Sequence, residues 1–125
     1  MVVRVMTETN DKRTKGFRAY WGGDYPEAHR LLLPVAESGD AEVQCALGSM
    51  YHLGLEVQPD GQIAEQWFLK SGQQGYALAY SNLAGMYVVG CVNLEANLEK
   101  AKFYYREAAE HGFNMIPDFV NECKQ

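Results

Sequence analysis

Glycine marks a period in this chain, and the period constrains the fold more than any other feature. Gly39, Gly75 and Gly112 stand 36 and 37 residues apart. Between them the same residue types recur in the same order. Gly39, Ala41, Leu47, Tyr51 and Gly54 return as Gly75, Ala77, Leu83, Tyr87 and Gly90, all at an offset of 36. Ala64, Trp67-Phe68 and Gly75 return as Ala101, Tyr104-Tyr105 and Gly112, at an offset of 37, so one residue has been added after Gly90. Looking backward, Ala28 and Gly39 precede Ala64 and Gly75 by 36, while Tyr20 and Gly23 precede Tyr51 and Gly54 by 31. The first unit is therefore a shortened copy. A period of this length, in a chain with 12 glycines and only 4 prolines, is the mark of a stacked repeat.

Each half-unit reads as a helix. In 41–53 the residues Ala41, Cys45, Leu47 and Tyr51 share one face of a 3.6-residue turn. Ile63, Ala64, Trp67, Phe68 and Ser71 do so in the next half, and Leu98, Ala101, Tyr104, Tyr105 and Ala108 in the last. Glycine is poor inside a helix but suits its end. Gly23, Gly54 and Gly90 are thus expected to close first-half helices, and Gly39, Gly75 and Gly112 second-half helices. Gly48 lies inside one, where a neighbouring helix is expected to approach. Asp24 and Asp60 are placed to cap the helices that follow them, and Pro26 fits a first turn. Pro34, within 25–38, is expected to kink or shorten its helix.

The spacing predicts helices near 10–21, 25–38, 41–53, 61–74, 77–89, 98–111 and 116–123. The expected fold is all-α: an α-α superhelix, or solenoid, of stacked antiparallel hairpins with about seven helices. Residues 1–9 are expected to form a flexible N-terminal arm. A single domain over 10–125 then holds a shortened first repeat (10–38), repeats at 39–75 and 76–112, and a C-terminal capping helix in 114–125. One hairpin cannot bury its apolar face alone, so the repeats must stack. Ile116, Phe119, Val120 and Cys123 supply one face for the cap.

The residues at 41–54, followed by Val57, Asp60, Ala64 and Trp67-Phe68-Leu69-Lys70, resemble the Sel-one-like repeat, a relative of the tetratricopeptide repeat. Its pattern is an Ala-rich start, Leu-Gly-x-x-Tyr-x-x-Gly, an Asp, an aromatic pair and a closing Gly. The match is close over 39–75. Over 76–112 it is good, with Glu99-Lys100-Ala101 and Tyr104-Tyr105 in place, but Ala84 stands where the pattern has Gly and the Cys91-Val92-Asn93-Leu94 loop departs from it. The resemblance implies an α-solenoid and a scaffold or adaptor role. It does not imply a reaction. Family members rich in disulfides place two cysteines in each hairpin. This chain has three cysteines in all, Cys45, Cys91 and Cys123, and antibiotic binding is not carried over from that branch.

The residues offer little chemistry of their own. The cysteines give no zinc spacing, and His29, His52 and His111 form no HxxxH or HExxH set. Cys45 and His52 share a helical face, yet seven residues separate them by about 10.5 Å along the axis, too far for a nucleophilic dyad. No glycine loop for phosphate is present, and Asp24 would repel an anion at the helix after Gly22-Gly23. No cofactor and no metal are therefore expected, and a hydrolase is disfavoured. Net charge is −5, which argues against general nucleic-acid binding. A local +3 over residues 1–18 reads as a solvated terminal arm or first helix, with an electrostatic handle for an acidic partner as the alternative. Nothing in the chain has the length and apolarity of a spanning segment, and Met1–Met6 is too short for an export signal. The expectation is a cytoplasmic monomer away from membranes.

The remaining surface of interest is the concave face, which first-half helices line in stacked repeats. With Leu47, Gly48 and Tyr51 turned to the core, the other face carries Glu42, Cys45, Ser49 and His52. The matching positions are Arg18 and Trp21 in the first repeat, and Ser81 and Val88 in the third. An exposed aromatic and an arginine are the types that dominate binding energy. The expected function is a non-enzymatic protein–protein interaction module that holds a peptide or protein in this groove. An immunity protein neutralising a secreted toxin is the alternative for so small and acidic a chain.

Overall fold

The computed structural model describes residues 2–121, and for 2–9 the backbone alone. Six α-helices follow one another: α1 (Val2–Trp21), α2 (Tyr25–Glu37), α3 (Ala41–Leu53), α4 (Gly61–Gly72), α5 (Ala77–Val89) and α6 (Leu98–Glu110), then a 3-10 turn at Asp118–Asn121. They pack as three hairpins, α1/α2, α3/α4 and α5/α6, with α2 against α3 and α4 against α5 joining the hairpins into a stack. Two expectations are corrected. The first helix begins at Val2, so residues 2–9 are helical backbone and not a flexible arm; neither Pro nor Gly interrupts that stretch. The expected capping helix is a 3-10 turn of four residues. Pro117 stands just before it and restricts the preceding residue to extended backbone, and Cys123 lies outside the described residues.

The helix starts follow from their caps. The side chains of Asp24, Asp40, Asp60 and Asn97 accept from the N–H groups of Glu27, Val43, Gln62 with Ile63, and Lys100. These bonds satisfy donors that a helix leaves open. The helix ends follow from glycine. At Gly39 (φ +113) the chain reverses and the Asp40 N–H reaches back to the Val35 carbonyl. The same five-residue closure ends α1, α3, α4 and α6, each time after a glycine of positive φ. This is the closure that glycine allows at least cost. Gly90 (φ +78, ψ 170) instead leads into a small bridge, with mutual bonds of 2.9 and 3.0 Å between Cys91 and Leu94. The residue added after Gly90 accompanies this change.

Pro34 does not stop its helix: α2 runs through it to Glu37. The core forms two clusters. One gathers Leu32, Val35, Val43, Leu47 and Met50; the other gathers Phe68, Leu83, Met86, Tyr87 and Leu94. Tyr51 packs against both and joins them. Gly48 lets α4 come close to α3, since a Cβ there would lie 2.6 Å from ring carbons of Phe68. Ala84 is tolerated at the matching place because Tyr105, which matches Phe68, turns instead to Phe119, with ring centroids 6.0 Å apart and nearly perpendicular.

Candidate functional site

The first-half helices α1, α3 and α5 lie side by side, and polar contacts tie each to the next. Arg13 on α1 donates from Nε to Asp40 Oδ2 at 2.8 Å and also pairs with Glu42 at the start of α3. The same guanidinium lies 5.1 Å from the Phe17 ring centroid. Near the other end, burial raises the pKa of the Tyr20 phenol. Between α3 and α5, Asn82 Nδ2 donates to Cys45 Sγ at 3.5 Å.

The eight residues singled out in the sequence fall into three environments. Arg18 and Trp21 are exposed, Trp21 at 79%, with its ring edge-on to Tyr20. Val88 is exposed as well, and Ser49, His52 and Ser81 are half-buried. Glu42 is exposed but engaged by Arg13. Cys45 corrects the expectation: it is 4% exposed and sits beneath the face. Burial pushes its thiol up to about 12, so it is neither a groove contact nor a nucleophile. Its helical position puts it between the stripe that meets α4 and the one that faces out, and α5 closes over it. Burial also lowers the His52 pKa from its ordinary value.

Sequence reasoning missed Arg13 and the exposed Leu53 and Val89. Arg13 shares a helical stripe with Phe17 and Tyr20, which is the signal that places it toward a neighbour. Leu53 and Val89 are matching positions at an offset of 36, the last residues of α3 and α5. Together with Trp21 they put an exposed apolar side chain at the end of each first-half helix. Among the described residues, no group of three or more His, Cys, Asp or Glu could hold a metal ion, and no helix is long and apolar enough to cross a membrane.

The Sel1 repeat pattern matches residues 41–76 and 77–113. The chain belongs to the Sel1 repeat family. Among solved structures, a Sel1 repeat protein from Oxalobacter formigenes is 32% identical, with a TM-score of 0.71 over 80% of this chain and 41% of that one. The protein c5321, a protective antigen present in uropathogenic Escherichia coli strains that displays an SLR fold, is 30% identical. Its TM-score is 0.70 over 77% of this chain and 22% of that one. The chain thus spans less than half the length of either. No curated protein matches it. The Sel1 repeat fold is in general a protein–protein interaction module, and its members are typically non-enzymatic.

Proposed function

We propose that this Sel1 repeat chain binds a peptide or protein partner across the face made by α1, α3 and α5. The observation that carries this reading is Trp21. A large apolar side chain left 79% exposed at the end of α1 lies on the same stripe as Arg18 and matches His52 and Val88 in the next two repeats. Aromatic and arginine side chains of this kind anchor interfaces. Ser49 and Ser81 beside them are small, which leaves room for a partner's backbone. The buried, weakly acidic thiol of Cys45 and the spacing of the histidines give no nucleophile–base pair, which supports binding over hydrolysis. On this reading the chain works as a cytoplasmic monomer, where Cys45 and Cys91, both free, remain thiols.

The test is affinity capture of a partner, followed by Arg18→Ala, Trp21→Ala and His52→Ala made singly. At least one should weaken binding by about tenfold, a loss of about 1.4 kcal/mol, with helicity unchanged. Dependence on α2, α4 and α6 residues alone would overturn the proposal.

A further inference from the structure

A cleft of about 1110 Å³ opens between α4, the end of α5 and the loop that leads into α6. None of the eight residues singled out in the sequence lines it. Its walls are held by backbone bonds: the Cys91–Leu94 bridge, Gly61 N–H to Val92 O at 2.6 Å, and Asn97 N–H to Tyr87 O at 2.8 Å. The loop is therefore already in shape before anything binds. Tyr87, only 4% exposed, lies within it and donates its hydroxyl to Oε2 of Glu65. That bond uses one carboxylate oxygen of Glu65. Among the described residues, neither Glu65 nor Glu95, which also lines the cleft, forms an ion pair. Lys100 is the cation of the lining, and its ammonium lies 5.3 Å from the Tyr87 ring centroid. Two carboxylates thus meet one ammonium. At the edge stands Val89, 78% exposed.

We propose that this cleft receives an arginine side chain carried by a partner protein or peptide. The guanidinium pairs with Glu65, and the aliphatic stem lies along Val89. The chemistry selects the class. A long side chain with an apolar stem and a cationic head matches an apolar edge that leads to an unpaired carboxylate. Arginine, with five donors, can also use the amide oxygen of Gln62, where lysine offers a single point charge. Lys100 already covers a face of Tyr87, so the incoming charge is directed to the carboxylate and not to the ring. A pair formed inside a cleft is screened less than one on an open surface.

The test titrates ¹⁵N-labelled protein with the acetylated, amidated peptide Gly-Ser-Arg-Ser-Gly. A second titration uses the same peptide with citrulline, the neutral isostere, in place of arginine. The arginine peptide should give saturable shifts in the amides of residues 87–97 that weaken with added salt, and the citrulline peptide should not. Glu65→Gln keeps an acceptor for Tyr87 and removes the charge. It should cost about tenfold in affinity, as a charge-assisted bond is lost, at an unchanged melting midpoint. The exposed Glu95→Gln should weaken binding by a smaller factor, which keeps the test decisive if Glu65→Gln unfolds. Glu37→Gln, on α2, should change nothing. Equal binding of the two peptides, full affinity in both cleft variants, or no saturable shift would each overturn the proposal.

Discussion

At Gly48 the helix backbone itself is the packing surface. The missing Cβ would lie within 2.6 Å of two Phe68 ring carbons, and Phe68 is fully buried. Gly48→Ala should therefore destabilise by about 1–3 kcal/mol through overpacking, even though alanine is the better helix former. A denaturant melt checks this, and a more stable variant would show that α4 can shift freely. His52 carries a pH dependence. Its pKa is lowered by burial, so the folded state binds the proton less readily than the unfolded chain. The stability from neutral His52 is complete above the ordinary value near 6.5. It is lost as pH falls from there through the folded value. Melts of His52→Gln and the parent from pH 8 to 5 should show a shallower decline in the variant. Parallel curves would remove His52 as the cause.

At the scale of the element, the final segment is held without forming a long helix. Val120 is fully buried, Arg106 donates to its carbonyl at 2.9 Å, and Phe119 meets Tyr105. Deleting residues 114–125 should expose the Tyr105 side of α6, lower the melting midpoint by several degrees and promote aggregation, as apolar area returns to water. An unchanged midpoint with a clean monodisperse profile would contradict this. The apolar spacing of this segment announced the burial of Val120 but not the geometry that achieves it. A helical face and a 3-10 turn present the same few side chains over so short a length. The first helix shows the opposite limit: with neither Pro nor Gly before Gly16, where it starts is not written in any single residue.

For the whole molecule, the joints between repeats are built from one slot filled in two ways. In the first, Gln44 donates to the Ala36 carbonyl at 3.0 Å and accepts from Gln74 at 2.9 Å, while Ser71 donates to the Ala41 carbonyl at 2.6 Å. One repeat on, Tyr80 stands where Gln44 stood. It packs near His111, with ring centroids 5.6 Å apart, and leaves room only for a glycine at 72. Gln44→Leu should remove the side-chain bond to the Ala36 carbonyl, which keeps the Gly39 N–H, and take away the acceptor of Gln74, at a cost of about 0.5–1.5 kcal/mol. A two-state melt of lower midpoint is expected, measured by circular dichroism and by tyrosine fluorescence together. Parental stability would mean that the polar joint contributes nothing.

The sequence alone determined the stacked helical-hairpin fold and the glycines at which its helices close. Those are local matters: a glycine where φ must be positive and an Asp where open N–H groups need an acceptor are visible one residue at a time. It also placed Gly48, because a glycine inside a helix has few other reasons. What the tertiary structure alone decided is where each side chain of the outer stripe ends. Cys45 and Ser49 lie on neighbouring turns of one helix, yet α5 covers the first and leaves the second half open. The Glu65–Tyr87 cleft joins residues 22 apart with a loop that belongs to no helix period. Periodicity reports the direction a side chain takes from its own axis; what meets it there depends on a helix from another repeat.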